Sequence, residues 1–168
     1  MESTIINSVS EQAVAIRDRL MEWASPLGGT AAVVSNLKDL WSQVYQSSNK
    51  PTVYVCYMGE KARGPFSLAN ALSRVDRSWS VLIKRGRGFY SVRGDSLSAN
   101  KQEIPFYDCV EQVREQLRSM INISAEGPMI DFKGIRPASQ GTQVIDAYVI
   151  EFSTANDIPR QYTQPTTI

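Results

Sequence analysis

The sequence predicts a single α+β domain, with a mainly antiparallel sheet of about four strands packed against two or three helices. Two observations lead to this prediction. Apolar residues recur at helical spacing near the start and in the second half of the chain, and segments rich in β-branched and aromatic residues lie between turn residues. The predicted order is one helix, an optional second helix, two strands, one further helix and two further strands. The 168 residues suit one domain, which we place at 1–155, with a flexible tail over 156–168.

The first predicted helix begins near Ser8 or Ser10, either of which can cap its N-terminus. Apolar residues then recur at steps of three and four, in the set Val9, Ala13, Ile16, Leu20 and Trp23. The sequence Ser-Pro-Leu-Gly-Gly at residues 25–29 ends this helix. A shorter helical pattern from about Ala31 to Tyr45 predicts a second helix, although the β-branched pair at 33–34 is also consistent with the start of a strand.

Two predicted strands follow the breaker that ends at Pro51. The first, Thr52 to Met58, has β-branched and aromatic residues on both faces. We therefore expect it to be covered on both sides, either entirely by its own chain or on one side by a neighbouring subunit. Residues 59–73 are expected to form a long loop or a partly extended arm. The second strand, about Arg77 to Lys84, alternates apolar and polar residues, which is typical of a strand with one face in water.

The most regular helical pattern runs from Phe106 to Ile121, just after Pro105, which a first helical turn tolerates. A hairpin is predicted next. Its first strand is Met129 to Ile135, and its second begins at Val144 and ends at Phe152, across a loop at 136–142.

The residue types limit the possible chemistry. The chain has no histidine, which excludes Ser-His-Asp and Cys-His catalysis and mixed Cys/His zinc sites. The acids are scattered. Asp131 and Asp146 can face each other across the last hairpin, but we expect a surface pair, or one bound to Lys133 or Arg136, rather than a metal or glycosidase site. We therefore predict that the protein is not an enzyme and binds no metal or cofactor.

The sequence also bears on location. The N-terminus lacks the basic region and apolar run of a secretory signal, and no run approaches the roughly 20 apolar residues of a membrane span. Cys56 and Cys109 belong to no C-x-x-C pair and are predicted to be small buried hydrophobic residues. We expect the protein to stay in the cytoplasm where it is made, away from membranes.

Charge is distributed unevenly along the chain. Between Glu60 and Lys101 there are nine Lys or Arg against three acids, a local charge of +6 in a chain whose total is +1. Part of this segment, 84–101, is a basic loop with three glycines. It either lies in solvent, meets an acidic patch on an identical neighbour, or contacts nucleic acid. The candidate residues for an interface or a DNA channel are Lys61, Arg63, Lys84, Arg85, Arg87 and Arg93.

The element order, the Pro-led strand, the long arm after it and the closing strand Asp-Ala-Tyr-Val-Ile-Glu-Phe at 146–152 carry a resemblance. Together they resemble the tail terminator proteins of long-tailed bacteriophages, also called tail completion or head–tail joining proteins. The similarity covers roughly residues 9–155 and includes no diagnostic motif. The basic insertion at 84–101 departs from it.

The resemblance implies a structural subunit that forms a ring, expected to be hexameric, on the end of the tail tube. Its partners would be copies of itself, the tail tube protein and the head-connector or neck protein. Basic residues would line a channel with non-specific contact to DNA. The protein would reside in the host cytoplasm during assembly and then in the virion. Two alternatives stay open: a nucleic-acid-binding module that uses the loop at 84–93, and another neck or connector protein.

Overall fold

The computed structural model describes residues 8–36, 38–39, 51–62, 72–84, 106–120, 130–140 and 143–159. Over these residues the fold is α+β, as the sequence predicts. Five strands, rather than about four, form one mixed sheet in the order β1-β2-β3-β5-β4. The strands are β1 Thr30–Val34, β2 Thr52–Ala62, β3 Leu72–Lys84, β4 Asp131–Gln140 and β5 Gln143–Pro159, and the two described helices are α1 Val9–Ala24 and α2 Phe106–Arg118.

Helix α1 confirms its prediction. The Ser8 hydroxyl caps it by accepting a hydrogen bond from the Glu11 backbone N–H at 3.4 Å. The middle of its apolar stripe is buried, with Ile16 and Leu20 fully covered, and Val9 and Trp23 at its ends are half-buried. A short 3-10 turn, Ser25–Leu27, follows the helix, and Gly28 then adopts a left-handed φ of 70°.

Strand β1 corrects the prediction of a second helix from about Ala31. Residues 30–34 pair in parallel with β2, and Ala31 and Val34 are buried on opposite faces of the sheet. The β-branched pair at 33–34 therefore belongs to a strand rather than to a helix, because an extended backbone allows side chains on both faces of this segment to pack against the rest of the chain. Further along the predicted helix, Lys38 and Asp39 are helical, whereas residue 37 and residues 40–45 lie outside the described residues.

Strands β2 and β3 extend into the region 59–73, where the sequence predicts a loop or an arm. They pair antiparallel as far as Ala62 opposite Val75, with a bulge between Tyr57 and Gly59. Residues 63–71 lie outside the described residues. Side chains on both faces of β2 are buried within the single chain, for example Val55 on the helix side of the sheet and Cys56 on the opposite side. Of the two explanations for its two-faced pattern, coverage by its own chain is the one observed.

Helix α2 is also confirmed, although it ends at Arg118 rather than Ile121. Val110, Val113 and Leu117 face the sheet and join the core cluster of α1. The two helices are tied directly to each other. The Trp23 indole N–H donates to the Gln112 side-chain oxygen at 2.8 Å. No helix in the described part of the chain is long and apolar enough to cross a membrane.

Strands β4 and β5 form the predicted antiparallel hairpin, but both are longer than predicted. Residues 136–140, expected in the loop, belong to β4. Strand β5 continues past Phe152 to Pro159, and Asn156 is fully buried. The flexible tail predicted over 156–168 is therefore corrected for residues 156–159, whereas 160–168 lie outside the described residues.

The predicted facing of Asp131 and Asp146 is wrong. Asp131 lies opposite Ser153 in the β4–β5 register, seven residues further along β5 than Asp146. Two bulges in this hairpin shift the pairing. The Asp131 carboxylate instead forms an ion pair with Lys133, which is one of the two partners that the sequence suggests.

Candidate functional site

The structure describes two of the six basic candidates. Lys61 is exposed near the end of β2, and Lys84 is the last residue of β3 and half-buried. Burial lowers the pKa of the Lys84 ammonium group. The other four, Arg63, Arg85, Arg87 and Arg93, lie outside the described residues.

The two described candidates are far apart. Lys84 pairs with Thr52 at one end of the β2–β3 ladder, whereas Lys61 pairs with Asp76 close to the other end. Nine positions along β2 separate Lys61 from Thr52, which is roughly 30 Å at the rise of a strand. These two lysines therefore do not form one site.

Ion pairs within the chain reduce the basic surface that the charge count predicts. Arg74 donates from Nε to the Asp157 carboxylate at 2.8 Å, and this hydrogen bond lowers the pKa of Asp157. Arg77 pairs with Glu60 at 3.1 Å. Of the four cations that the structure describes between Glu60 and Lys101, Arg74 and Arg77 thus belong to internal pairs, which a sum over the sequence cannot reveal.

Arg77 is the centre of a buried polar cluster that the sequence analysis missed. Its side chain is 5% exposed, and besides Glu60 it donates from Nη1 to the Gln12 side-chain oxygen at 3.0 Å. Gln12 is itself fully buried. A signal for this cluster existed: Gln12 lies on the apolar stripe of α1, and Arg77 is in phase with Trp79 on the dry face of β3. The cluster connects α1 to the sheet.

A second set of buried polar contacts lies beside the first. The Trp79 indole N–H donates to the Thr154 hydroxyl oxygen at 3.1 Å, and the Thr154 hydroxyl donates to the Asn156 side-chain oxygen at 3.0 Å. Tyr57 packs on Trp79 with ring centroids 5.4 Å apart. Burial, and after it the Glu60 carboxylate, raises the pKa of Tyr57, while Arg77 opposes this effect. These contacts link β3 and β5 to each other and to β2.

The described residues include no group of three or more Asp, Glu or Cys side chains arranged to hold a metal ion. Neither cysteine is in a disulfide, and both are buried, as the sequence predicts. Burial, followed by the charge of Asp108, raises the pKa of the Cys109 thiol to about 11, and burial also raises the pKa of the Cys56 thiol.

We expect neither thiol to react readily in the folded protein. Thiolate is the reactive form, and a pKa of about 11 for Cys109 leaves roughly 0.1% thiolate at pH 8. In an assay with Ellman's reagent at pH 8, labelling of the native chain should be slow, and both thiols should react within minutes in guanidinium chloride. Fast labelling of one thiol in the native chain would contradict the buried positions of Cys56 and Cys109.

An open, acidic depression of about 540 Å³ lies on the outer side of α2. Its described lining is one stripe of the helix: Asp108, Glu111, Gln112, Glu115 and Gln116. Glu111 and Glu115 are exposed, and Glu115 also pairs with Arg118 of the same helix at 3.0 Å. This stripe gives the surface an acidic region distinct from the basic middle of the sequence.

The two edges of the described sheet differ in character. Edge strand β4 carries two bulges, a proline and three charged side chains, and residues 133–137 are all exposed. Bulges, proline and charge are the features that prevent a sheet edge from pairing with another chain. Edge strand β1, with the sequence Thr-Ala-Ala-Val-Val, has a regular register and none of these features.

The unpaired side of β1 can be assigned from one hydrogen bond. The Thr30 N–H donates to the Pro51 carbonyl oxygen at 3.1 Å, so in this parallel pair the backbone groups of residues 30, 32 and 34 face β2. The N–H and C=O groups of Ala31 and Val33 therefore point away from β2. The Val33 side chain is 41% exposed at this edge.

Comparisons with models of protein families and with curated protein sequences find no match to this chain.

Proposed function

We propose that the chain is a structural subunit of a phage-type particle. In this proposal several copies, six in the expected form, build a ring on the end of the tail tube and join it to the head-connector or neck protein. The ring assembles in the host cytoplasm and remains in the virion. The subunit has no catalytic role and needs no cofactor.

Separation of charge within one chain carries the proposal. The sequence between Glu60 and Lys101 has a local charge of +6, whereas the outer side of α2 presents Asp108, Glu111 and Glu115 along one depression. Two different surfaces of opposite charge favour a head-to-tail contact between identical subunits. Head-to-tail contacts close into rings when the rotation between neighbours is a whole fraction of a turn.

The proposal includes non-specific contact with DNA in the channel of the ring. Lys61 and Lys84 are the described cations that support it, together with Arg63 in the sequence. Because Lys61 and Lys84 are roughly 30 Å apart, they would contact different turns of a duplex rather than one phosphate cluster.

Purified chain added to growing tail tubes should cap the tube end with a ring and stop the tubes from lengthening. Negatively stained images show the ring, and tube length distributions report the arrest. Tubes that stay uncapped and continue to lengthen at saturating concentrations of the chain would count decisively against this function.

The triple variant Arg85→Ala, Arg87→Ala, Arg93→Ala tests the contact within the ring. Losing three positive charges should weaken ring assembly by about tenfold, at about 0.2–1 kcal/mol for each pair, without changing the melting temperature. The double variant Glu111→Gln, Glu115→Gln should weaken ring assembly by a similar factor, because it removes negative charge from the acidic stripe of α2. A nucleic-acid-binding module predicts a different result: the triple variant loses salt-dependent DNA binding as a free chain, and the α2 variant behaves as wild type.

A further inference from the structure

We infer that two copies of the free chain pair antiparallel through strand β1, joining two sheets into one across a two-fold axis. The partner is a second copy of this chain, and the contact is separate from the ring contacts proposed above.

The difference between the two edges indicates which strand pairs with which. Strand β4 is protected by its bulges, by Pro137 and by the charges of Lys133 and Arg136. Among the described strands, β1 is therefore the edge without such protection, and in a second copy the matching unprotected edge is again β1. Pairing β1 with itself needs no other surface.

The outward backbone groups of β1 define a register. Ala31 and Val33 both point their N–H and C=O groups away from β2. In an antiparallel pair with Ala31 opposite Val33 of the second copy, and Val33 opposite Ala31, both pairs are of the hydrogen-bonded type and together form four backbone hydrogen bonds. Ala32 then lies on the two-fold axis opposite its own copy, in a non-hydrogen-bonded pair.

An exposed apolar side chain lies at this edge on the helix side. Val33 shares the face of Ala31, whose side chain belongs to the core cluster beneath α1, and Val33 itself is 41% exposed. Pairing of two copies would remove part of this side chain from water.

The symmetry of the contact has a consequence for assembly. A contact that uses the same edge of both partners closes at two copies, whereas a head-to-tail contact through an unprotected edge can propagate into fibres. The β1 pair therefore covers the edge of the free subunit without starting a polymer. The contact is short, so we expect a weak dimer, with a dissociation constant on the order of 10–1,000 µM.

The first test is the variant Val33→Pro, measured by sedimentation equilibrium from 10 µM to about 1 mM. The Val33 N–H faces away from β2, so proline is compatible with the fold at this position but removes two hydrogen bonds of the dimer, one from each copy. We expect reversible dimerisation of the wild type and at least about tenfold weaker dimerisation of the variant. Val33→Thr keeps the N–H and should stay within about threefold of wild type. A wild-type chain that is monomeric at 1 mM would overturn the inference.

Disulfide trapping tests the register and does not depend on the proline variant being folded. In a Cys56→Ala background, chosen because Cys56 and Ala32 pack on the same face, Ala32→Cys should form a covalent dimer under mild oxidation. Cβ atoms in such a directly opposed pair are about 5 Å apart, close to disulfide geometry. Thr30→Cys is the matched control in the same strand, because its copies would lie roughly 13 Å apart. Equal trapping at both positions, or at neither, would refute the β1 pairing.

These measurements are independent of the proposed function. A chain that dimerises through β1 but never caps a tail tube retains this inference and loses the ring. Rings on tail tubes, formed by a chain that never dimerises in solution, would support the ring and overturn the β1 dimer.

Discussion

Replacing Arg77 with alanine should lower the free energy of unfolding by about 2–4 kcal/mol, because a buried acceptor loses this donor and the packed stem of the arginine is removed. The Arg77 side chain is 5% exposed and donates to both Glu60 and Gln12. Without the guanidinium, the fully buried Gln12 side chain loses the hydrogen bond from Arg77, and Glu60 loses the positive charge beside it. Urea unfolding followed by circular dichroism gives the change in free energy directly.

Arg74→Ala is the matched control for this prediction. Arg74 lies three residues away on the same strand and also pairs with a carboxylate, that of Asp157, but its side chain is 41% exposed. Solvent screens such a pair, so its loss should cost less than about 1 kcal/mol. Equal losses for Arg77→Ala and Arg74→Ala would show that burial of the cluster contributes nothing to stability.

Replacing all three side chains of the cluster with apolar ones measures the net contribution of the cluster to the free energy of unfolding. The combined variant Gln12→Leu, Glu60→Leu, Arg77→Met removes the three polar side chains of the cluster together. Such replacements are often neutral or stabilising in other proteins. Comparison of the single and combined variants therefore separates two quantities. One is the free-energy cost of a polar group that has lost a hydrogen-bond partner, and the other is the net contribution of the cluster to stability.

The parts of the fold that depend on local periodicity were predictable from the sequence. Helices α1 and α2 have apolar residues at helical spacing and recognisable ends, so Ser8 and the turn at 25–29 indicate the limits of α1. Strand β1 was only the alternative to a predicted helix, because five residues with three β-branched side chains fit a helix start as well as a strand. Pairing with β2, which is distant in sequence, decided between them.

Strand lengths depended on the same long-range pairing. The segments 59–62 and 153–159 are polar, and their composition favoured a loop and a tail. They are strands because β3 lies between β2 and β5 and pairs with both, so that Val75 is opposite Ala62 on one side and Asn156 on the other. A polar segment gains backbone hydrogen bonds from such neighbours whatever its own preference.

The candidate site was predictable only in part, for a related reason. A count of charges along the chain finds the basic middle segment, but it cannot tell Arg77, which is buried and paired, from Lys61, which is exposed. That distinction depends on which strand face each residue occupies. Arg77 and Trp79 are two residues apart in β3, so their side chains lie on the same face of the sheet. This spacing identifies Arg77 as buried once Gln12 is known to lie above that face.

Gly29→Ala is expected to destabilise the chain by about 3 kcal/mol, through crowding rather than through backbone conformation. Gly29 has no positive φ, so alanine could adopt its backbone angles. A Cβ at this position would instead lie far inside van der Waals contact with the Pro51 carbonyl oxygen and 3.3 Å from the Ala24 carbonyl oxygen. The Pro51 oxygen also accepts the Thr30 N–H that starts the β1–β2 ladder, so relief of the clash would displace the pairing of β1.

Gly134→Ala provides the comparison, because a Cβ there meets nothing within 4 Å and the φ of Gly134 is not positive. Alanine at 134 should be neutral or stabilise the chain by up to about 1 kcal/mol, since it restricts the unfolded state. Thermal melts of the two variants should therefore shift in different directions or by clearly different amounts. If Gly29→Ala melted like Gly134→Ala, the close approach of the α1–β1 turn to Pro51 would be wrong, and with it the parallel register that places Ala31 and Val33 on the open edge.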